Sequence, residues 1–171
     1  MESPGGFSWI DARLRANARR QDSATDLPQY RWSTFAEDRP TDAELHEAQV
    51  PQQLVRFLNT LNRKLDLLLA LQGQASVLED YPLQLDVLRI SGAGAVFRSQ
   101  ENFQNGDALE IVFTLCDSPL QTAAAVGTVN RISREGHVHF AFSNIRENDL
   151  EKVVQFVFQE EREQIRRNKW T

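Results

Sequence analysis

Apolar positions recur along this chain in two rhythms. Leu54, Leu58, Leu61, Leu65 and Leu68 are spaced four, three, four and three, the alternation of a coiled-coil seam, with Arg56, Asn62, Arg63, Lys64 and Asp66 off it. Pro51 suits a first helical turn, where its missing N–H would have no partner anyway. Gly73 suits a helix end. A leucine-rich helix is therefore predicted from Pro51 to about Gln72. Val55, Phe57, Leu67, Leu69 and Leu71 widen its apolar surface beyond a strict seam, enough to touch both its own domain and the same helix of another subunit.

The second rhythm has period two. Leu83, Leu85 and Val87 alternate with Gln84 and Asp86, and Leu109, Ile111, Phe113 and Leu115 alternate with Glu110, Val112 and Thr114, so one face of each strand is expected inward. Ala95 to Arg98, Ala123 to Ser133 and Val138 to Phe142 read as further strands. They are punctuated by Gly92-Ala93-Gly94, Asn105-Gly106-Asp107, Asp117-Ser118-Pro119 and Arg134-Glu135-Gly136. Gly92 and Gly94 permit backbone angles or close approaches that a Cβ would obstruct. From Asn148, a possible cap, Leu150, Val153, Val154, Val157 and Phe158 line one stripe of a closing helix, with Phe156 beside it and bases in the last turn. That helix has two destinations open to it, the barrel end or the leucine-rich helix. Before Val50, Ile10 and Leu14 are four apart and Ala16 and Ala18 favour helix, so a short amphipathic helix is expected from Phe7 to about Arg20. Residues 21 to 47 then read as a linker whose Tyr30, Trp32 and Phe35 can anchor on a folded surface. The fold class is mainly β with helices. It comprises a polar, partly disordered arm at 1–47, a leucine-rich oligomerisation helix at 48–73, and a small antiparallel barrel with its C-terminal helix at 80–171.

Composition adds limits. The 171 residues, 41% hydrophobic, support one core of ordinary size. A net charge of -5 argues against indiscriminate nucleic-acid binding. No run approaches the roughly 18 apolar residues of a membrane span, and the start, Met1-Glu2-Ser3-Pro4-Gly5-Gly6, lacks the basic and apolar regions of a secretory signal. The expected location is cytoplasmic, without membrane insertion. Cys116 has no partner in the chain and is expected to act as a small strand residue.

The turn Arg89-Ile90-Ser91-Gly92-Ala93-Gly94 resembles the Asp/Asn-x-Ser-x-x-Gly motif of PilZ domains, half of that family's cyclic di-GMP site. Ser91 and Gly94 match, and Arg89 stands where the family has an acid or amide. The strands and the closing helix follow in the family's order over roughly residues 80 to 168. The resemblance implies a PilZ-like barrel and, through the divergent group in which added helices build a tetramer, a homo-oligomer up to a tetramer. It also implies an Arg-x-x-x-Arg clamp before the first strand. Residues 72 to 84 contain no arginine or lysine, while Arg15 and Arg19 have the spacing but precede Ser91 by about seventy residues.

His137 and His139, two apart on one strand face, are an incomplete metal set. Gly-x-Ser-x-Gly, Walker and His-Glu-x-x-His motifs are absent. The sequence thus points to a non-enzymatic PilZ-like signalling adaptor with no catalytic residues, no metal and no resident cofactor. It is expected to be oligomeric through Leu54, Leu58, Leu61, Leu65 and Leu68 and to act through a protein partner, with a degenerate ligand site at Arg89, Ser91 and Gly94. The alternative is an active cyclic di-GMP receptor that draws on Arg15 and Arg19 as an unusual arginine donor.

Overall fold

The computed structural model describes residues 6–30, 40–117 and 120–170, with backbone alone at 74–76. Six antiparallel strands, β1 (Ile10–Gln21), β2 (Leu83–Ser91), β3 (Gly94–Arg98), β4 (Ala108–Asp117), β5 (Leu120–Ile132) and β6 (Val138–Ile145), close a barrel in the order β1-β2-β3-β6-β5-β4. Helices α1 (Asp42–Glu47) and α2 (Gln52–Asp80) are inserted between β1 and β2, and α3 (Glu147–Lys169) follows β6.

The first correction concerns β1. Residues 10 to 21 form a strand rather than an amphipathic helix, and it closes the barrel by pairing with β2 on one side and β4 on the other. Its sequence has period two throughout: Ile10, Ala12, Leu14, Ala16 and Ala18 pack on or within the core, while Asp11, Arg13, Arg15, Asn17 and Arg19 face outward. Alanine's helix preference is a weak prior beside two ladders of backbone hydrogen bonds and a buried face. The small inward residues share the core with the large rings of Phe97, Phe113 and Phe140.

α2 also departs from expectation. Pro51 caps the helix, its carbonyl accepting from Leu54 N–H (2.9 Å) and Val55 N–H (3.1 Å). The helix runs through Gly73 to Asp80. A mid-helix glycine costs about 1 kcal/mol, and here the helix continues because Val77 beyond it packs with Tyr81 against Val112 and Ala124 on the outside of the barrel. Pro82 disfavours helix at Tyr81 and so ends it. α1 forms within the expected linker on a capping box, in which Glu44 N–H donates to Thr41 Oγ1 (3.2 Å) and Thr41 N–H to Glu44 Oε2 (2.7 Å).

β4 is buried on both faces from Leu109 to Phe113, not on one, because Tyr30, Val77 and Tyr81 cover its outer side. α3 seats Val153 and Val157 in the main core, which settles its place on the barrel. Each such side chain contributes roughly 1.5–3 kcal/mol. Its stripe is rotated from the expected one: Phe156 packs on the core and Phe158 is exposed. Of the three linker aromatics, Tyr30 is anchored, and Trp32 and Phe35 lie outside the described residues.

Candidate functional site

The turn between β2 and β3 is built by Ser91. Its hydroxyl oxygen accepts from Ala93 N–H at 3.0 Å, and its side chain is wholly buried. Phe142 N–H donates to Ala93 O (2.9 Å), stitching the turn to β6. Gly94 is required by close approach, since a Cβ there would collide with the Phe140 carbonyl. At Gly92 the Phe7 ring occupies the place of a side chain.

Arg89 faces outward beside this turn. Its Nε lies 3.3 Å from Asp11 Oδ1, and its guanidinium sits 5.7 Å from the centre of the Trp9 ring. Strand registry continues the outward row through Val96 to His139 and Arg131, where Arg131 Nη2 approaches His139 Nε2 at 3.3 Å. Burial holds the His139 imidazole below its ordinary pKa, helped by the positive charges of Arg131, His137 and Arg89. The row is rich in donors. Its one carboxylate, Asp11, is already engaged with Arg89.

The structure does not bring Arg15 and Arg19 to this turn. β1 runs antiparallel to β2, with Ile10 beside Ile90 and Ala18 beside Leu83. Arg19 therefore lies roughly 30 Å along the strand from Ser91, at about 3.3 Å per residue. Arg15 pairs with Asp117 at 3.3 Å in the open. It also lines a cleft of about 730 Å³ where β1 and β4 diverge, but that cleft holds three carboxylates (Asp11, Asp117, Glu160) against three guanidinium groups (Arg13, Arg15, Arg167) and so carries no net formal charge.

Arg19 belongs to a cluster that sequence reasoning missed. Glu110 is fully buried, yet its Oε2 accepts from Arg19 Nε (3.0 Å), Arg19 Nη2 (2.7 Å) and Gln21 Nε2 (2.7 Å). Its Oε1 accepts from Tyr30 N–H (2.9 Å) and Tyr81 O–H (3.0 Å). The Arg19 guanidinium lies 4.8 Å above the Tyr81 ring, and Tyr30 meets that ring edge-on. Burial, then the Glu110 charge and hydrogen bond, push the Tyr81 phenol well above its usual pKa. Burial likewise raises Tyr30. Arg146 holds the same segment from the other side by donating to the Tyr30 and Pro28 carbonyls. The signal for this cluster was Glu110 itself, a carboxylate inside the run Leu109 to Phe113.

The seam leucines form the other candidate surface. Leu54, Leu58, Leu61, Leu65 and Leu68 are all exposed, Leu68 by 61%. On a helix of 3.6 residues per turn their stripe lies about 140° from Val77, the side turned to the barrel. Phe57 flanks it, and Leu67 and Leu71 expose further apolar surface round the helix. Among the described residues no group of three His, Cys, Asp or Glu is placed to hold a metal, and no helix is long and apolar enough to cross a membrane.

A six-stranded antiparallel barrel with a Ser-x-x-Gly turn and a C-terminal helix is the architecture of a PilZ-type domain. The PilZ domain model matches residues 68–159, just over half of the chain, and the chain belongs to that family. PilZ domains are non-enzymatic effector or adaptor domains of cyclic di-GMP signalling. The fold is similar to that of the Bacillus subtilis inhibitor of motility MotI/DgrA, with a TM-score of 0.51 and 10% identity over 94% of this chain; this chain spans 52% of that one. It is also similar to a pathogenic protein from Xanthomonas campestris whose structure is described as a tetrameric PilZ domain self-assembled via a helical bundle. That likeness has a TM-score of 0.55 and 18% identity, covering 94% of this chain and 90% of the other. No curated protein sequence matches the chain.

Proposed function

We propose that this protein is a cytoplasmic, non-enzymatic PilZ adaptor that assembles with copies of itself through α2 and signals through a protein partner, with a degenerate cyclic di-GMP site. The observation that carries this reading is the leucine stripe of α2, presented to solvent on the side away from the barrel. A stripe of this length left uncovered is the exception among soluble chains, and its spacing is that of a helix seam. The Xanthomonas campestris neighbour, a tetrameric PilZ domain self-assembled via a helical bundle, supports assembly through helices.

Static light scattering on the purified chain tests the assembly. We expect an oligomer, and Leu61→Glu should reduce it to single chains. Each buried leucine contributes roughly 1.5–3 kcal/mol, and a carboxylate at the seam centre must be desolvated or expel its neighbours. A wild-type chain that stays monomeric at high micromolar concentration would refute the proposal.

The degenerate site rests on three observations. Ser91 spends its hydroxyl on the turn, Arg89 replaces an acceptor, and Arg15 and Arg19 are paired far from both. Each missing charge-assisted contact is worth roughly 1.5–3 kcal/mol, so two or three take a micromolar ligand to millimolar. Calorimetric titration with cyclic di-GMP should therefore give no saturable heat below about 100 μM, a bound set by the same arithmetic. Micromolar binding that Arg19→Ala or Arg89→Ala abolishes would instead install the receptor reading.

A further inference from the structure

We infer that Glu110 is a clasp that fixes the direction in which the α1–α2 excursion leaves the barrel. The excursion departs after Tyr30 and returns at Tyr81, and both points bond to one carboxylate oxygen, Glu110 Oε1. The other oxygen is held by Arg19 and Gln21 from β1, so the carboxylate cannot turn to follow a moving helix without breaking bonds to the barrel wall.

Little else restrains α2. Along Gln52–Leu69 it has no buried side chain, and Ala70 and Gly73 are the first buried residues. Val77 and Tyr81 make its apolar footing on Val112 and Ala124. A helix of 29 residues is about 43 Å long, so a tilt of about 10° at Tyr81 carries its far end some 7 Å. The position of every seam leucine is thereby set at the tyrosine end. Tyr81 is a positioning residue for whatever the leucine stripe meets: its hydroxyl, together with the Asn17 side-chain amide that donates to the Tyr81 carbonyl at 3.3 Å, supplies the directional part of the footing that the apolar contacts lack.

The consequence for assembly rests on the proposed role of α2, but the clasp is a property of one chain and is measured as such. Cys116, the sole cysteine, is exposed on the barrel, and Thr60 is exposed on α2. Spin labels on Cys116 and Thr60→Cys, in protein diluted with unlabelled chain, report the barrel-to-helix distance within a subunit by pulsed dipolar spectroscopy. The parent should give one narrow distribution. Tyr81→Phe, which keeps the ring, should broaden it at least twofold with unchanged far-ultraviolet circular dichroism, and Glu110→Gln should broaden it further. A Tyr81→Phe distribution as narrow as the parent's overturns the clasp, whatever Glu110→Gln does, and so does a parent distribution that is already broad. Light scattering on the same samples reports the assembly separately, so failure of either idea is distinguishable from failure of the other.

Discussion

Replacing Glu110 by alanine is expected to destabilise the barrel by about 3–5 kcal/mol, the range for removing one member of a buried ion pair. The substitution leaves Arg19, Gln21, the Tyr30 amide and the Tyr81 hydroxyl without their common acceptor. Buried donors stripped of a partner lose roughly 1–3 kcal/mol each. Arg19 keeps 29% of its side chain in water, which limits the loss and places the expectation at the lower end of the range. Against a total stability of about 5–15 kcal/mol this is a large fraction. It corresponds to a melting temperature lower by roughly 10 °C, read by thermal circular dichroism. A melt within about 2 °C of wild type, less than 1 kcal/mol, would show that water replaces the cluster without loss. The size of this effect says little about the net worth of the ion pair, since bringing two charges out of water consumes much of their attraction.

Deleting everything before Val50 should be more damaging still, and this expectation reverses what a polar arm would imply. The deletion removes β1, and with it Ile10, Ala16 and Ala18 from the core and the hydrogen-bonding partner of both β2 and β4. Two edges open where the barrel had none, and open edges of this kind pair with other chains. The shortened chain should show no cooperative thermal transition and should aggregate. A soluble product with an intact melting transition would mean that β1 is dispensable.

Much of the barrel is legible because its strands follow the alternation of apolar and polar residues, and the Ser91 to Gly94 turn is legible through its resemblance to the PilZ motif together with the order of the elements that follow it. β1 looks helical in sequence because alanine is a weak hydrophobe, so Ala12, Ala16 and Ala18 register as helix-formers before they register as the inward half of a strand. Gly73 suggests a terminator because local propensity is visible in sequence, whereas the footing of Val77 and Tyr81 that overrules it is not. Glu110 falls on the outward positions of a strand that alternation makes half-buried. Its burial depends on Tyr30 and Tyr81, eighty and twenty-nine residues away, and no local pattern announces such partners. Arg19 was legible as a cation at the family's clamp spacing, but the carboxylate it serves was not. The leucine stripe of α2 stands apart, since its pattern is local and its exposure is what the structure adds.

The insertion of α1 and α2 between β1 and β2 also shapes the order in which the barrel can be assembled from an unfolded chain. β2 with β3, β4 with β5, and β5 with β6 are neighbours joined by short turns, whereas Ile10 must find Ile90 across eighty residues. Loop entropy grows only logarithmically, by about 0.6 kcal/mol per doubling, so the finished structure is little weakened. The rate is another matter, because distant pairings are searched for before they are rewarded. In the folded barrel the Tyr30 and Tyr81 rings, 5.8 Å apart, close the base of that long excursion. β1 is thus the stave whose pairing with β2 closes the longest loop of the barrel, and the excursion that makes it long is the one that carries the exposed leucines.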